Sequence, residues 1–402
     1  MADVAVIGAG PAGAFLASRL AEAGRDVILF DPKGAWEKPC GGGVPTRALR
    51  EYAALLNRTE YPRKLIRRVT LVSPVMRRVT IDFDEPFAIY SRRVLNGLVL
   101  DRAVESGARF VRAAVAEFVR GSDGWRITTD DGQTWRARFM VGADGAASST
   151  RRKLVGIFPK QDLALAFGYN VTVSDSDQPE AASGNGKSND TAKEEVVVQF
   201  LRDFTGYLWA FPRPGVMNFG VASKLGERTS DELRAILKGF VEDYFGGKMP
   251  EPERLSFFGA KIPTLDYASW RGLRTVGEGW ALVGDAAGFA DPITGEGIYY
   301  ALKSADLMAG ALMADATVAY TEAAATYEAS WRDAFGHDLE RASRRLPLFY
   351  RGRFFGRIFT DAMILLAKYH RGVRRVLVRA VVGYQSYTTL KRELLRNVLR
   401  VF

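Results

Sequence analysis

One cysteine in 402 residues, Cys40, excludes an intrachain disulfide and fits a reducing compartment. Two histidines, His337 and His370, stand far apart. No Cys/His metal cluster can be assembled from them, a His-based triad is disfavoured, and no metal is expected. No apolar run approaches the length that spans a bilayer. Chemistry is therefore expected from a bound cofactor. The apolar (47%) and charged (25%) fractions are those of an ordinary globular protein, and the length allows two or three domains.

Acids are scarce only at the C-terminal end. From Arg341 to Phe402 fifteen Lys/Arg face two acids, Asp361 and Glu393, whereas residues 1–340 hold 41 bases and 44 acids. The net charge of +10 thus sits in the last sixty residues. Interleaved with it are Leu346, Phe349, Phe354, Phe355, Ile358, Phe359, Ile364, Leu365 and Leu366. A basic, aromatic-rich helical stretch reads as a surface lying against anionic lipid headgroups. A solvated helical cap is the plainer alternative. Nucleic acid is set aside, because no recognised binding motif accompanies the charge.

The best-patterned stretch is the first. Asp3–Ile7 reads as a buried strand; Gly8, Gly10 and Gly13 follow at G-x-G-x-x-G spacing and lead into a helix, Ala14–Glu22. Val27–Phe30 is a second strand that ends on Asp31. Strand, glycine turn, helix, strand and acid together form the dinucleotide fingerprint. Gly8 permits a tight turn, Gly10 lets a pyrophosphate approach the backbone, and Gly13 lets helix pack on strand. The helix N-terminus offers N–H groups to phosphate, and Asp31 offers acceptors to a ribose. The motif starts at residue 3, so no signal or transit segment is expected ahead of it.

Further on, Cys40-Gly41-Gly42-Gly43 forms an irregular loop able to lie against a flat ligand. Val69–Val72 and Arg78–Phe83 alternate as half-buried strands, and Tyr90–Gly107 reads as a helix with Arg92 and Arg93 at its start. Strands at 109–111, Val115–Val119 and Trp125–Thr129 precede a buried strand running into Asp144-Gly145. Residues 174–195 are polar and read as a mobile loop between strands 163–173 and 196–202. In Gly206–Pro212 the alternation puts Tyr207, Trp209 and Phe211 on one face. Such a row is most often core, but it can also wall an apolar pocket. Another buried strand ends in Gly284-Asp285 and is followed by Asp291, Gly295-Glu296-Gly297 and a helix, Ile298–Met313. The remainder, from Val318, reads as helical.

The order and spacing of these turns resemble FAD-dependent oxidoreductases of the p-hydroxybenzoate hydroxylase type, and within them the geranylgeranyl reductase family. Lys38-Pro-Cys40-Gly41-Gly42-Gly43, Tyr207-x-Trp209-x-Phe211-Pro212 and the block from Gly284-Asp285 through Asp291-Pro to Gly295-Glu296-Gly297 carry the resemblance, which covers about residues 1–330. It implies an α/β fold: a discontinuous Rossmann-like FAD-binding domain (1–64, 90–160 and 271–320), an inserted, mostly antiparallel substrate-binding sheet (65–89 and 161–270) and a basic helical region (321–402).

The resemblance also implies non-covalent FAD. Gly8, Gly10, Pro11, Ala12 and Gly13 would meet the pyrophosphate, Asp31 and Pro32 the ribose side, and Arg92 the pyrophosphate or ribityl chain. Val115, Asp144, Gly284 and Asp285 would add further cofactor contacts, with Gly295, Glu296, Gly297 and Ile298 near the isoalloxazine. Cys40, Gly41 and Gly42 would line the flavin's catalytic edge. Tyr207 and Trp209 are catalytic candidates, and Phe211 and Pro212 would line a prenyl pocket. The implied reaction hydrogenates isolated C=C bonds of a geranylgeranyl-type chain on a lipid, quinone or chlorophyll-like substrate. Hydride would come from reduced FAD and a proton from Tyr207, Cys40 or a bound water. Aromatic faces could stabilise the developing cation. A monooxygenase or halogenase on the same fold is the alternative, as is a flavin carrier that only passes electrons to a partner. Only one dinucleotide fingerprint is present, so the electron donor stays open among NADPH, ferredoxin and a reduced deazaflavin. The expected location is cytoplasmic, peripheral on the membrane.

Overall fold

The computed structural model describes residues 1–173, 195–314, 320–354 and 356–399. The polar loop expected at 174–195 lies outside them except for Glu195, and so do Phe355 and Val318. In chain order the first half runs β1 (Ala2–Ile7), α1 (Pro11–Glu22), β2 (Val27–Phe30), β3 (Gly43–Val44), α2 (Thr46–Glu51), α3 (Ala53–Leu56), β4 (Arg63–Val72), β5 (Arg78–Tyr90), α4 (Arg92–Glu105), β6 (Arg109–Val111), β7 (Val115–Arg120), β8 (Trp125–Thr129), β9 (Thr134–Gly142) and α5 (Ser149–Leu154). Then come β10 (Leu163–Thr172), β11 (Glu195–Phe200), β12 (Gly206–Arg213), β13 (Val216–Lys224), α6 (Ser230–Tyr244), β14 (Leu255–Pro263), α7 (Tyr267–Arg271), β15 (Val276–Gly277), β16 (Trp280–Leu282) and α8 (Ile298–Met313). The C-terminal part holds α9 (Tyr320–Trp331), α10 (His337–Arg351), a hairpin β17 (Arg353–Phe354) and β18 (Arg357–Ile358), α11 (Phe359–Tyr369), α12 (Arg371–Val381) and α13 (Leu390–Leu399).

These elements build a Rossmann-like domain, an inserted, mostly antiparallel sheet and a helical C-terminal region. In the first sheet β16, β9, β1, β2 and β6 run parallel in that order. The strands are continuous apolar runs because both faces are covered; Val4–Ile7 and Val27–Phe30 are buried throughout, with α1 packed against α4 and α8. The second sheet is ordered β14-β10-β13-β12-β11-β4-β5-β3, antiparallel except where β11 lies beside β4. Alternation splits its strands between two faces. Leu208, Ala210, Phe219 and Val221 pack under Leu233, Leu237 and Val241 of α6. That helix starts on a capping box between Thr229 and Glu232. The opposite face carries small residues, among them Ala164, Ala166, Gly220 and Ala222, and it borders the cleft described below.

The C-terminal helices are docked rather than trailing. Ile364, Ala367, Val373 and Val382 join Ile66, Val69, Leu71, Ile81 and Phe83 of β4 and β5 in one core. The structure corrects the all-helical expectation here. Gly352 leaves α10 with extended backbone, where a Cβ would lie 2.2 Å from the Leu348 carbonyl oxygen, and Gly356 at φ +77° turns the β17–β18 hairpin.

Candidate cofactor and substrate site

Strand register brings the distant glycine turns together. Ile7 pairs with Phe30 on one side and Gly142 on the other, and Gly142 pairs with Leu282. The carboxyl ends of β2, β1, β9 and β16 therefore lie level, with Asp31, Gly8, Asp144 and Gly284-Asp285 side by side just beyond them. The ladder continues into the turns: Gly8 N–H donates to Phe30 (2.7 Å), Ala143 N–H to Ile7 (2.7 Å) and Val283 N–H to Gly142 (3.0 Å). This edge of an open parallel sheet is where ligands bind in α/β folds.

The corner combines close-packed glycines with open space. Gly8 sits at φ +104°, and a Cβ there would lie 2.5 Å from the Ala143 carbonyl oxygen; one on Gly13 would lie 1.9 Å from that of Gly8. A Cβ on Gly10, by contrast, would meet nothing within 4 Å. Open space thus faces the N-terminus of α1, which no side chain caps, leaving N–H groups for phosphate oxygens. Arg92 is buried, held by Asn96 Oδ1 at 3.2 Å, and its Nε has no partner. Arg93 beside it is exposed.

Asp31 makes structural bonds of its own. One carboxylate oxygen accepts Ala9 N–H at 2.9 Å, and the other accepts Lys33 and Gly34 N–H, both at 2.8 Å, which pins the glycine turn to the loop after β2. Pro32 is exposed in that loop, and Val115 opens β7, four residues beyond the end of β6. The Asp144 carboxylate accepts from Ser148, Ser149 and Thr150 at the start of α5. What Asp144 presents to the corner is its backbone. Asp285 pairs with Lys38 at 2.8 Å; burial pushes its carboxyl up, but Lys38 and Arg92 together hold it below its ordinary value.

The Cys40 loop is held by residues the sequence reading passed over. Glu37 accepts the N–H groups of Arg92 (3.0 Å) and Arg93 (3.1 Å) and the Ser91 hydroxyl, capping α4 from 55 residues away. It also pairs at 2.8 Å with Arg213, whose other nitrogen donates to the Cys40 carbonyl. No local pattern announces these partners. Burial pushes the Cys40 thiol up, yet Arg92, the Gly42 N–H (3.3 Å to Sγ) and Lys38 together leave it below its ordinary value.

Tyr207, Trp209 and Phe211 share one face of β12, with ring centroids 5.9 and 6.3 Å apart. The Cys40 loop lies against this row: a Cβ on Gly41 would sit 2.9 Å from the Phe211 ring and 3.4 Å from Trp209 Nε1. Trp209 lies flat over Gly220 of β13, where a Cβ would be 1.9 Å from the indole. Its Nε1 donates to Asn218 at 2.8 Å, and Asn218 donates to Asn170 at 2.7 Å. Pro212 is buried at the end of the row. The Tyr207 hydroxyl donates to the Thr294 carbonyl and stands 3.3 Å from a Cβ position on Gly295.

Between this face and the loop before α8 lies a small cleft open to solvent, lined among others by Ala164, Tyr207, Ala222, Ile262, Ile293 and Gly295. The C-terminal region anchors that loop. Tyr350 donates to the Ile293 carbonyl (2.7 Å) and Tyr387 to Asp291 (2.8 Å). Glu296, between Gly295 and Gly297, accepts Tyr299 N–H at 2.7 Å, and Ile298 begins α8 behind it. Desolvation pushes the Glu296 carboxyl up to about 8, so it carries a proton at neutral pH.

The structure thus groups the predicted residues into two neighbouring sets, a glycine corner at the sheet edge and an aromatic face behind the Cys40 loop. Residues 3–178 match the family described as lycopene cyclase protein. The chain is 29% identical to a geranylgeranyl diphosphate reductase of Rhodobacter capsulatus over 78% of this chain and 75% of that one. It is 31% identical to a menaquinone reductase of Mycobacterium tuberculosis (77% and 76% covered) and 30% identical to a digeranylgeranylglycerophospholipid reductase of Methanosphaerula palustris (84% of each). Among solved structures, a geranylgeranyl bacteriochlorophyll reductase-like protein from Thermoplasma acidophilum superposes with a TM-score of 0.73 at 19% identity, covering 99% of this chain and 95% of that one. A flavin-dependent brominase superposes with a TM-score of 0.71 at 15% identity, covering 99% of both. Carried by these relatives and by the glycine corner beside the aromatic row, the chain belongs to the geranylgeranyl reductase family of flavin-dependent oxidoreductases.

Proposed function

We propose that the protein uses FAD to hydrogenate isolated C=C bonds of a polyprenyl chain carried on a lipid or quinone. The observation that carries this reading is the cleft lined by Ala164, Tyr207, Ala222, Ile262 and Ile293, which opens beside the aromatic row Tyr207–Trp209–Phe211 that reaches to the Cys40 turn. Bound in reduced form, FAD would supply hydride. Gly8, Gly10 and the start of α1 would hold its pyrophosphate, Asp31 its ribose, and Arg92 with Asp285 its ribityl side.

The remaining work falls to this chain's own residues. Ala164 and Ala222, small residues of β10 and β13, border the cleft where an alkyl chain would enter, beside the aromatic row. Ring faces beside a reacting alkene favour positive charge developing at the more substituted carbon. Trp209, fixed by Asn218, is oriented for that task. Burial keeps the Tyr207 phenol protonated, so both it and the Cys40 thiol can move a proton at the cleft. The test is anaerobic turnover of dithionite-reduced protein with a panel of prenylated lipids, read by mass spectrometry. Products two hydrogens heavier support the reading; a strict need for O₂ replaces it with the monooxygenase or halogenase alternative.

We propose further that α10–α13 rest on an anionic membrane surface. Leu348, Leu366, Tyr369 and Leu395 are exposed among the C-terminal arginines. Among the described residues no helix is long and apolar enough to cross a membrane. Tyr350 and Tyr387 tie this helical region to the loop that borders the cleft.

A further inference from the structure

Lys224, the last residue of β13, lies at the end of the cleft beyond Tyr207. Its ammonium donates to the carbonyls of Gln161 (2.8 Å) and Thr264, and it forms no ion pair among the described residues. Two of its three N–H groups are thereby spent, both on neutral acceptors. Three acids stand around it, and each is committed elsewhere. Asp162 accepts Asp266 N–H (2.8 Å), Asp266 caps α7 through Ala268 N–H (3.1 Å), and Glu227 accepts Thr205 N–H (2.6 Å) and pairs with Arg351 (2.8 Å). They hold a proton on the lysine without touching it. Burial lowers the amine to about 8, which keeps it mostly charged at pH 7.

Thr264 stands at the same end. It is 3% exposed, and its hydroxyl oxygen is buried without a hydrogen-bond partner. Buried polar groups are almost always paired, so an orphan hydroxyl beside an ammonium that has no carboxylate in direct contact marks a place for a missing partner. Both residues line the cleft. An ammonium can only donate, and a hydroxyl beside it can donate too, a pairing that suits the acceptor-rich oxygens of a phosphate.

We infer that the Lys224–Thr264 end of the cleft binds the phosphate group of the prenyl substrate. This rests on the reductase reading and deepens it by naming the head group and the direction of the chain. At ~3.3 Å per strand residue, Thr205 beside Lys224 and Phe211 beside the Cys40 turn are ~20 Å apart along β12. A chain anchored by phosphate at Lys224 lays its first double bonds on Tyr207, next to Gly295, and runs on toward the Cys40 turn. The phosphate has two possible sources, a soluble prenyl diphosphate and a prenylated glycerophospholipid.

The test measures binding apart from turnover. Inorganic pyrophosphate is titrated calorimetrically into flavin-loaded wild type, Lys224→Met and the near-isosteric Thr264→Val. Steady-state KM is then compared for geranylgeranyl diphosphate, digeranylgeranyl glycerophospholipid and phosphate-free geranylgeraniol. The expected result is a pyrophosphate Kd at least tenfold weaker in Lys224→Met and several-fold weaker in Thr264→Val. KM should rise by similar factors for a phosphate-bearing substrate and stay unchanged for the alcohol; whichever phosphate substrate responds more identifies the source. If Lys224→Met does not fold, Thr264→Val carries the comparison. Equal pyrophosphate affinity in wild type and variants, or an equal KM loss for alcohol and diphosphate, overturns the site and leaves Lys224 a clamp on two carbonyls. Lys224-dependent pyrophosphate binding without any alkene reduction keeps the site and discards the reductase reading instead.

Discussion

Gly220→Ala makes the sharpest test of how the aromatic face is built. The added methyl would lie 1.9 Å from Trp209 Cζ2, on a strand paired to its neighbours along its whole length, so the indole must move. Overpacking a buried site costs ~1–3 kcal/mol. Displacing Trp209 also breaks its 2.8 Å bond to Asn218, worth ~1 kcal/mol net. The sum, ~2–4 kcal/mol, corresponds to a melting temperature lower by ~2–5 °C for a chain of this length. Flavin content, read from the visible absorbance, should stay at wild-type level because the glycine corner is untouched, while alkene reduction falls by about tenfold or more, ~1.4 kcal/mol in the barrier. The decisive assay is a double-mutant cycle. With Trp209→Ala in place nothing opposes the methyl, so Gly220→Ala should then cost close to nothing. An equal loss of stability in both backgrounds would refute the geometry.

Glu37→Ala should destabilise by ~3–5 kcal/mol, because it strands the buried Arg213 without its carboxylate; chemical denaturation checks this, and Glu37→Gln should cost less. Asp31→Ala should lose flavin on gel filtration and also lower stability by ~1–3 kcal/mol, since three backbone N–H groups lose their acceptor. Glu296 has a raised carboxyl, so the folded state holds a proton the unfolded chain releases. Its contribution is full below the ordinary glutamate range and is lost as pH rises through about 8. Flavin-stripped protein should therefore lose stability between about pH 4.5 and 8, with a shallower decline in Glu296→Gln. Finally, replacing Arg371, Arg374, Arg375 and Arg379 of α12 with Gln should abolish cosedimentation with anionic vesicles and leave zwitterionic vesicles unbound, as for wild type. Wild-type binding that ignores salt would argue against an electrostatic surface.

Local pattern alone determined much of this molecule. An unbroken apolar run of four, a glycine at each tight turn and an acid at the next strand's end specify β1–α1–β2, because those constraints act within thirty residues. The same holds for α8, whose apolar periodicity and preceding Gly295-Glu296-Gly297 mark its start, and for the period-2 alternation that puts Tyr207, Trp209 and Phe211 on one face. What tertiary structure decided are the meetings of residues far apart in sequence, which no short window encodes. Register between β1, β9 and β16 levels three glycine turns; Glu37 caps α4 and neutralises Arg213 across 176 residues. Gly220 exists as a seat for Trp209 only because β12 and β13 pair with those two residues opposite. The Lys224–Thr264 pair became visible for the same reason. A lysine at a strand end is unremarkable until folding buries it beside a hydroxyl and turns its neighbouring acids toward other partners.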